Sequence, residues 1–201
     1  MNIPQGVVSR ETTARLETFA ALLLRWNRTI NLIARRDEPE LWPRHIADSL
    51  QLVPLIPPGM RHGIDLGTGG GFPGLVLAIA MDIRFHLIES DNRKAAFLRE
   101  AARATNAHVQ VHAIRAEVAT LDPAPLITSR ALASLPCLLA LSAPILAPAG
   151  VCLFLKGTAV ETELTTAATE WNMRLERFPS QTAPGACILR ISDIARVHNN
   201  A

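Results

Sequence analysis

The stretch Ile64-Asp65-Leu66-Gly67-Thr68-Gly69-Gly70-Gly71-Phe72-Pro73-Gly74 decides the fold, because an apolar run carrying an acid meets a cluster of glycines. The apolar residues predict a buried strand, and the glycines a turn whose main-chain N–H groups face a ligand before a helix opens near Gly74. A literal G-x-G-x-x-G is present (Gly69, Gly71, Gly74), the spacing of a dinucleotide turn. Asp65 points elsewhere. A carboxylate two residues before Gly67, at the strand end, would repel a pyrophosphate and attract a cation. S-adenosyl-L-methionine carries an ammonium and a sulfonium and no phosphate, so Asp65-x-Gly67-x-Gly69-x-Gly71 fits it better.

Outward from this stretch, strands and helices alternate, the signature of a parallel sheet with crossover helices. Strands are predicted at about 62–66, 85–89, 109–113, 126–129 and 151–155, with a helix over 92–105 whose Lys94, Phe97, Leu98 and Ala101 are in phase. The tail reads as two further strands, about 173–178 and 186–192, around the Pro184-Gly185 turn. A terminal β-hairpin at the sheet edge suits a methyltransferase better than a dehydrogenase. Before the glycine stretch, Ser9 is placed to cap a helix with Leu16, Phe19, Ala20, Leu23 and Leu24 at helical spacing. A second helical pattern spans about Trp42 to Val53. These form an N-terminal helical cap, residues 1–60, followed by the cofactor-binding domain, 61–201.

At 201 residues the chain has room for one catalytic domain plus a small appendage. The formal charge is only +2, yet every basic residue except Lys94 and Lys156 is Arg. Arg suits phosphate and base stacking, although codon usage alone produces the same bias. Cys137, Cys152 and Cys187 are far apart, odd in number and lie in apolar neighbourhoods, which suggests neither a disulfide frame nor a zinc site and points to a reducing compartment. No secretory signal pattern opens the chain, so a cytoplasmic protein is expected. Residues 131–155 carry no charge and are long enough to span a bilayer, but Pro136, Pro144, Pro148 and Gly150 break them. A buried helix and then a buried strand is the reading, with no membrane contact.

Several side chains are placed for chemistry. Glu89 closes the second strand 18 residues after Gly71, where a carboxylate meets the ribose hydroxyls of an adenosine; this alone does not separate NAD from S-adenosyl-L-methionine. Ala116 and Glu117, past the third strand, offer a main-chain N–H and a carboxylate to an adenine edge. Arg130 ends the fourth strand, at the crevice where a transferred group is delivered, and can pair with Glu117 or Asp65 or reach a substrate phosphate or base. Lys156 ends the fifth strand in the same crevice with the same alternatives. The (Asp/Asn)-Pro-Pro-(Tyr/Phe) loop of amino methylation is missing from Ser129 to Leu135. Cys137 follows Pro136 but sits in an apolar helical pattern and reads as core rather than as a C5 nucleophile. His108 and His112 have no third ligand near, so no metal is expected.

Taken in order, Asn31-Leu32, Arg44-His45-Ile46-Ala47-Asp48-Ser49, Asp65 to Gly74, Ser129-Arg130-Ala131 and Leu155-Lys156-Gly157 resemble the bacterial 16S rRNA (guanine-N7) methyltransferase family called RsmG or GidB. The likeness covers nearly the whole chain. It implies a class I S-adenosylmethionine-dependent methyltransferase fold, Rossmann-like, with a seven-stranded, mostly parallel sheet and a terminal antiparallel hairpin. It further implies methylation of guanine N7 at position 527 in the 530 loop of 16S rRNA, in free form or in the small ribosomal subunit; separately, a monomer is expected. Carried over by motif, Gly67, Phe72, Ala116, Glu117 and Arg130 are the cofactor contacts, to which the residue reading adds Asp65, Gly69, Gly71 and Glu89. Asn31, Arg44, His45, Asp48, Ser49 and Lys156 are the RNA candidates. Guanine N7 is an exposed lone pair, so no catalytic triad is expected; Arg130 and Lys156 are positioning candidates. Runner-up readings are a methyltransferase acting on another RNA, a protein or a small molecule, and an NAD-dependent reductase or nucleotide-binding module.

Overall fold

In the computed structural model, which describes residues 8–197, seven strands form one sheet in the order β3-β2-β1-β4-β5-β7-β6. These are β1 (His62–Leu66), β2 (Arg84–Ile88), β3 (Val109–His112), β4 (Ala124–Arg130), β5 (Leu146–Lys156), β6 (Trp171–Pro179) and β7 (Cys187–Arg196). The first five pair in parallel, and β7 runs antiparallel between β5 and β6. The order reverses between β1 and β4, so the crevice beyond their C-terminal ends is the place for ligands in an open α/β sheet. β1 is buried at every position after His62 because both faces of the sheet are covered.

Helices α1 (Arg10–Asn27), α3 (Gly74–Ala80) and α4 (Asn92–Thr105) cover one face, and α5 (Leu135–Ser142) and α6 (Val160–Glu170) the other. Ser9 caps α1 as expected, its hydroxyl accepting from Thr12 N at 3.1 Å. Asp91 caps α4 through the amides of Arg93 and Lys94, and Asn106 ends it in the left-handed region at φ 49°. α3 is apolar on every side and is buried accordingly. Phe19, Leu23, Ile46 and Leu50 of the N-terminal segment share one apolar cluster with Phe72, Leu75 and Phe97.

The strands at 62–66 and the helix at 92–105 match their expected bounds, while β4, β5, β6 and β7 run longer than expected. The continuous helix expected over 42–53 is corrected: a π-helical segment, Trp42–Ala47, runs into a single α-helical turn, α2 (Asp48–Leu50), and Pro54 lies inside a 3-10 turn, Val53–Leu55. Such π segments often mark functional sites. The uncharged stretch 131–155 divides into α5 and β5, and no helix among the described residues is long and apolar enough to cross a membrane.

Candidate functional site

The turn after β1 is closed by its own bonds. Gly71 N and Phe72 N donate to Thr68 O at 2.9 and 3.0 Å, Gly69 N to Glu89 Oε2 at 2.9 Å, and Gly74 N to Asp65 Oδ2 at 3.0 Å. The sequence-based expectation that loop amides face a ligand is narrowed, since these four are already engaged. Gly69, at φ 56°, is open to space, since a Cβ there would meet only Gly67 O at 3.9 Å. Gly74 is required for another reason, because a Cβ would lie 2.5 Å from Asp65 Cβ.

Asp65 does not face the ligand side, which corrects its expected role. It is fully buried at 0 % exposure, with Oδ1 accepting from Thr128 Oγ1 at 2.6 Å on the neighbouring strand. Burial is the main cause raising its carboxyl to about 6, against the lowering effect of the Thr128 bond and the Gly74 amide. It holds the turn to α3 and β4 from beneath. A Cβ on Gly71, at φ 95°, would likewise point inward, against Leu75 and Leu98.

Above the turn lies a cavity of about 480 Å³ over the ends of β1, β2 and β4. Gly67, Gly69, Gly70, Phe72, Glu89, Ala116, Glu117 and Arg130 line it together, so most of the residues singled out as cofactor contacts converge. Glu89 is buried, and its second oxygen accepts from Asp91 N at 2.8 Å. Glu117 is exposed and forms a two-bond pair with Arg115. Its carboxyl is held below the ordinary value by its own backbone amide and by that guanidinium. Sequence reading missed Lys94, Ile114, Leu132 and Cys137 on the wall. Cys137 is exposed there, which overturns its assignment to the core. The buried positions of α5 are Leu135, Leu138, Leu139 and Ser142, and position 137 falls on the other side, a phase that the almost wholly apolar sequence does not show.

Arg130 pairs with neither Glu117 nor Asp65. Its guanidinium reaches back to the N-terminal segment, donating to His45 Nδ1 at 2.8 Å and Arg44 O at 3.1 Å and pairing with Asp48 Oδ2 at 3.4 Å. It also lies 4.8 Å over the ring of Phe72, which stands 5.0 Å from the His45 ring. Burial first, and then the Arg130 charge, lowers His45 to about 4, so its imidazole is neutral and Nδ1 accepts. The other nitrogen, Nε2, is buried without a hydrogen-bond partner among the described residues, 3.9 Å from Asp37 Oδ2. Asp48 is shared with the hairpin between β6 and β7, its Oδ1 accepting from Thr182 Oγ1 at 2.6 Å and from Gln51 Nε2 at 2.7 Å.

The remaining RNA candidates divide. Asn31 and Arg44 are exposed, Arg44 Nη1 resting on Asp37 Oδ1 at 2.8 Å. Ser49 is fully buried and donates to His45 O at 2.7 Å, so it presents nothing to a partner, and its expected RNA contact is corrected. Lys156 is buried, bonded to Ala133 O at 2.9 Å and paired with Glu163 at 2.6 Å, and it faces a second groove rather than open surface.

The comparisons agree with this architecture. Solved structures with the same fold include a ribosomal protein L11 methylase from Lactobacillus delbrueckii (TM-score 0.59, 15 % identity, 77 % of this chain and 79 % of that one). Another is an O-methyltransferase from Bacillus cereus in complex with SAH (TM-score 0.59, 15 % identity, 87 % and 90 %). The fold is that of a class I methyltransferase. Among relatives named Ribosomal RNA small subunit methyltransferase G, that of Acidiphilium cryptum is 58 % identical over 96 % of this chain and 90 % of its own length. That of Gluconobacter oxydans is 55 % identical over 94 % and 98 %. The family described as GidB, rRNA small subunit methyltransferase G, matches residues 12–184. The chain belongs to that family.

Proposed function

We propose that this protein transfers a methyl group from S-adenosyl-L-methionine to N7 of a guanine at position 527, in the 530 loop of 16S rRNA. It acts in the cytoplasm as a monomer, on 16S rRNA or the small ribosomal subunit. One observation carries the choice of cofactor: four of the turn's amides are satisfied from within, among them Gly69 N by the carboxylate of Glu89 and Gly74 N by Asp65. A pyrophosphate needs those N–H groups free and would meet the Glu89 carboxylate on the cavity wall instead. The donor set fits a nucleoside bearing a cation. Glu89 offers its carboxylate to a ribose diol, Ala116 and Glu117 face a base edge, and the open Gly69 admits close approach of the ligand.

When bound, S-adenosyl-L-methionine supplies an activated methyl group on a sulfonium. Guanine N7 presents a lone pair and needs no base, so the work of the protein is to hold the two at the near-attack separation of ~3 to 3.5 Å and to exclude water. Positive charge appears on the purine as transfer proceeds. An unpaired arginine aimed at it would oppose the reaction, and Arg130 is turned toward Asp48, Arg44 O and His45 instead. Arg130 is thus a positioning residue.

Borohydride and aniline cleavage of 16S rRNA after incubation with protein and cofactor tests the reading. A single new cleavage in the 530 loop is expected. Methyl incorporation at another atom, another RNA or a protein would favour the alternative methyltransferase readings.

A further inference from the structure

Beside the cofactor cavity lies a second groove of about 470 Å³ over the ends of β4 and β5. The two share the segment Arg130 to Ala133 as a common wall, so whatever sits in the groove is next to whatever sits in the cavity. Two ion pairs line the groove, Arg130–Asp48, already described, and Lys156–Glu163. Lys156 Nζ, with a side chain only 7 % exposed, stands 2.6 Å from Glu163 Oε2 and donates to Ala133 O at 2.9 Å. Glu163 Oε2 also accepts from Leu135 N at 2.6 Å.

These bonds leave polar capacity over. An ammonium has three N–H groups, of which two are used, and among the described residues no hydrogen bond reaches Glu163 Oε1. A pair serving only to fasten α6 to the loop before α5 would be matched or bettered by apolar side chains, since two charges are desolvated to make it. The leftover groups are one donor and one acceptor on the same ion pair. Guanine presents the complement of that arrangement on its lactam edge, with the O6 acceptor beside the N1–H donor, and adenine presents the reverse. The pair is neutral as a whole, so it does not oppose positive charge on the purine.

We infer that Lys156 and Glu163 read the acceptor base, Lys156 Nζ donating to O6 and Glu163 Oε1 accepting from N1–H, and so set the specificity for guanine. This rests on the N7 reading above. It makes both residues determinants of which purine is methylated, in addition to any role in packing.

The test uses 16S rRNA carrying guanine, inosine or 2-aminopurine at the target position, with wild-type protein, Lys156→Met and the isosteric Glu163→Gln. Inosine keeps O6 and N1–H, and 2-aminopurine has neither. Each variant should lose about 100-fold in kcat/KM on guanine and inosine. On 2-aminopurine it should change by less than about threefold, with S-adenosyl-L-methionine affinity by calorimetry unchanged. Comparing each base with itself across variants cancels its intrinsic N7 reactivity. Equal losses on all three bases, no loss on guanine, or loss of cofactor affinity in both variants would reduce the pair to a structural clamp and overturn the inference. Wild-type protein that leaves guanine N7 unmethylated would overturn the parent reading, and this one with it.

Discussion

Arg130 Nη2 and His45 Nδ1 meet at 2.8 Å across 85 positions of sequence, which joins the end of β4 to the π-helical segment Trp42–Ala47. The bond requires a neutral imidazole, and burial with the Arg130 charge lowers its pKa to about 4. A folded pKa below the ordinary 6.5 means that the native state binds fewer protons, so this contribution to stability is present above pH 6.5 and is lost as pH falls toward 4. Cofactor affinity should therefore show no His45 titration between about pH 6.5 and 8. His45→Phe keeps a ring against Phe72 and removes the acceptor. It should weaken S-adenosyl-L-methionine binding about tenfold in calorimetry, in line with one charge-assisted bond. Unchanged affinity would contradict the role given to the pair.

Asp65 has the opposite sign. Its carboxyl is raised from 3.8 to about 6 by burial, so the native state binds more protons than the unfolded chain, and stability falls as pH rises from about 4 through 6. In Asp65→Asn an acceptor remains for Gly74 N and a donor for Thr128 Oγ1, without the buried charge. The variant should gain on the wild type as pH rises from 4 to 7, by up to about 3 kcal/mol in urea unfolding. Parallel stability curves would show that the buried carboxylate carries no such cost.

Of the three thiols, Cys137 is exposed on the cavity wall, and Cys152 and Cys187 are buried, with burial pushing Cys152 up to about 12. N-ethylmaleimide should label Cys137 alone in the native protein and abolish cofactor binding, and saturating S-adenosyl-L-methionine should protect it. Cys137→Ala should bind cofactor and resist the reagent. Labelling that leaves affinity intact would place the thiol outside the cofactor's path.

Arg44 is exposed next to His45 in sequence, its guanidinium steadied by Asp37 at 2.8 Å. If it neutralises an RNA phosphate, Arg44→Ala should weaken RNA binding and make the log–log salt slope shallower by about one. An equal slope in the two proteins would assign Arg44 to packing against Asp37.

The legible parts of this chain are those governed by local pattern. β1 and α4 could be bounded from sequence because an apolar run broken by glycine, and an amphipathic run between Asp91 and Asn106, carry their own end signals. The convergence of Glu89, Ala116, Glu117 and Arg130 followed from strand-end positions, that of Gly67 from the glycine pattern, and that of Phe72 from the family resemblance. What sequence could not supply was direction. On a strand covered on both faces, period-two alternation says nothing about which side Asp65 takes, and that is settled by Thr128 directly across on β4. In α5 an almost wholly apolar sequence has no phase, so Cys137 resembled core. The π-helical segment depends on partners tens of residues away, such as Arg130 and Thr182, and the Lys156–Glu163 pair on how the following helix, α6, packs.

The most direct test titrates S-adenosyl-L-methionine and NAD into the pure protein by calorimetry, with Gly69→Val alongside to fill the open face of the turn. Binding of S-adenosyl-L-methionine alone, lost in the variant, is the expected result. Binding of NAD without S-adenosyl-L-methionine would contradict the cofactor assignment and the methyl-transfer chemistry built on it.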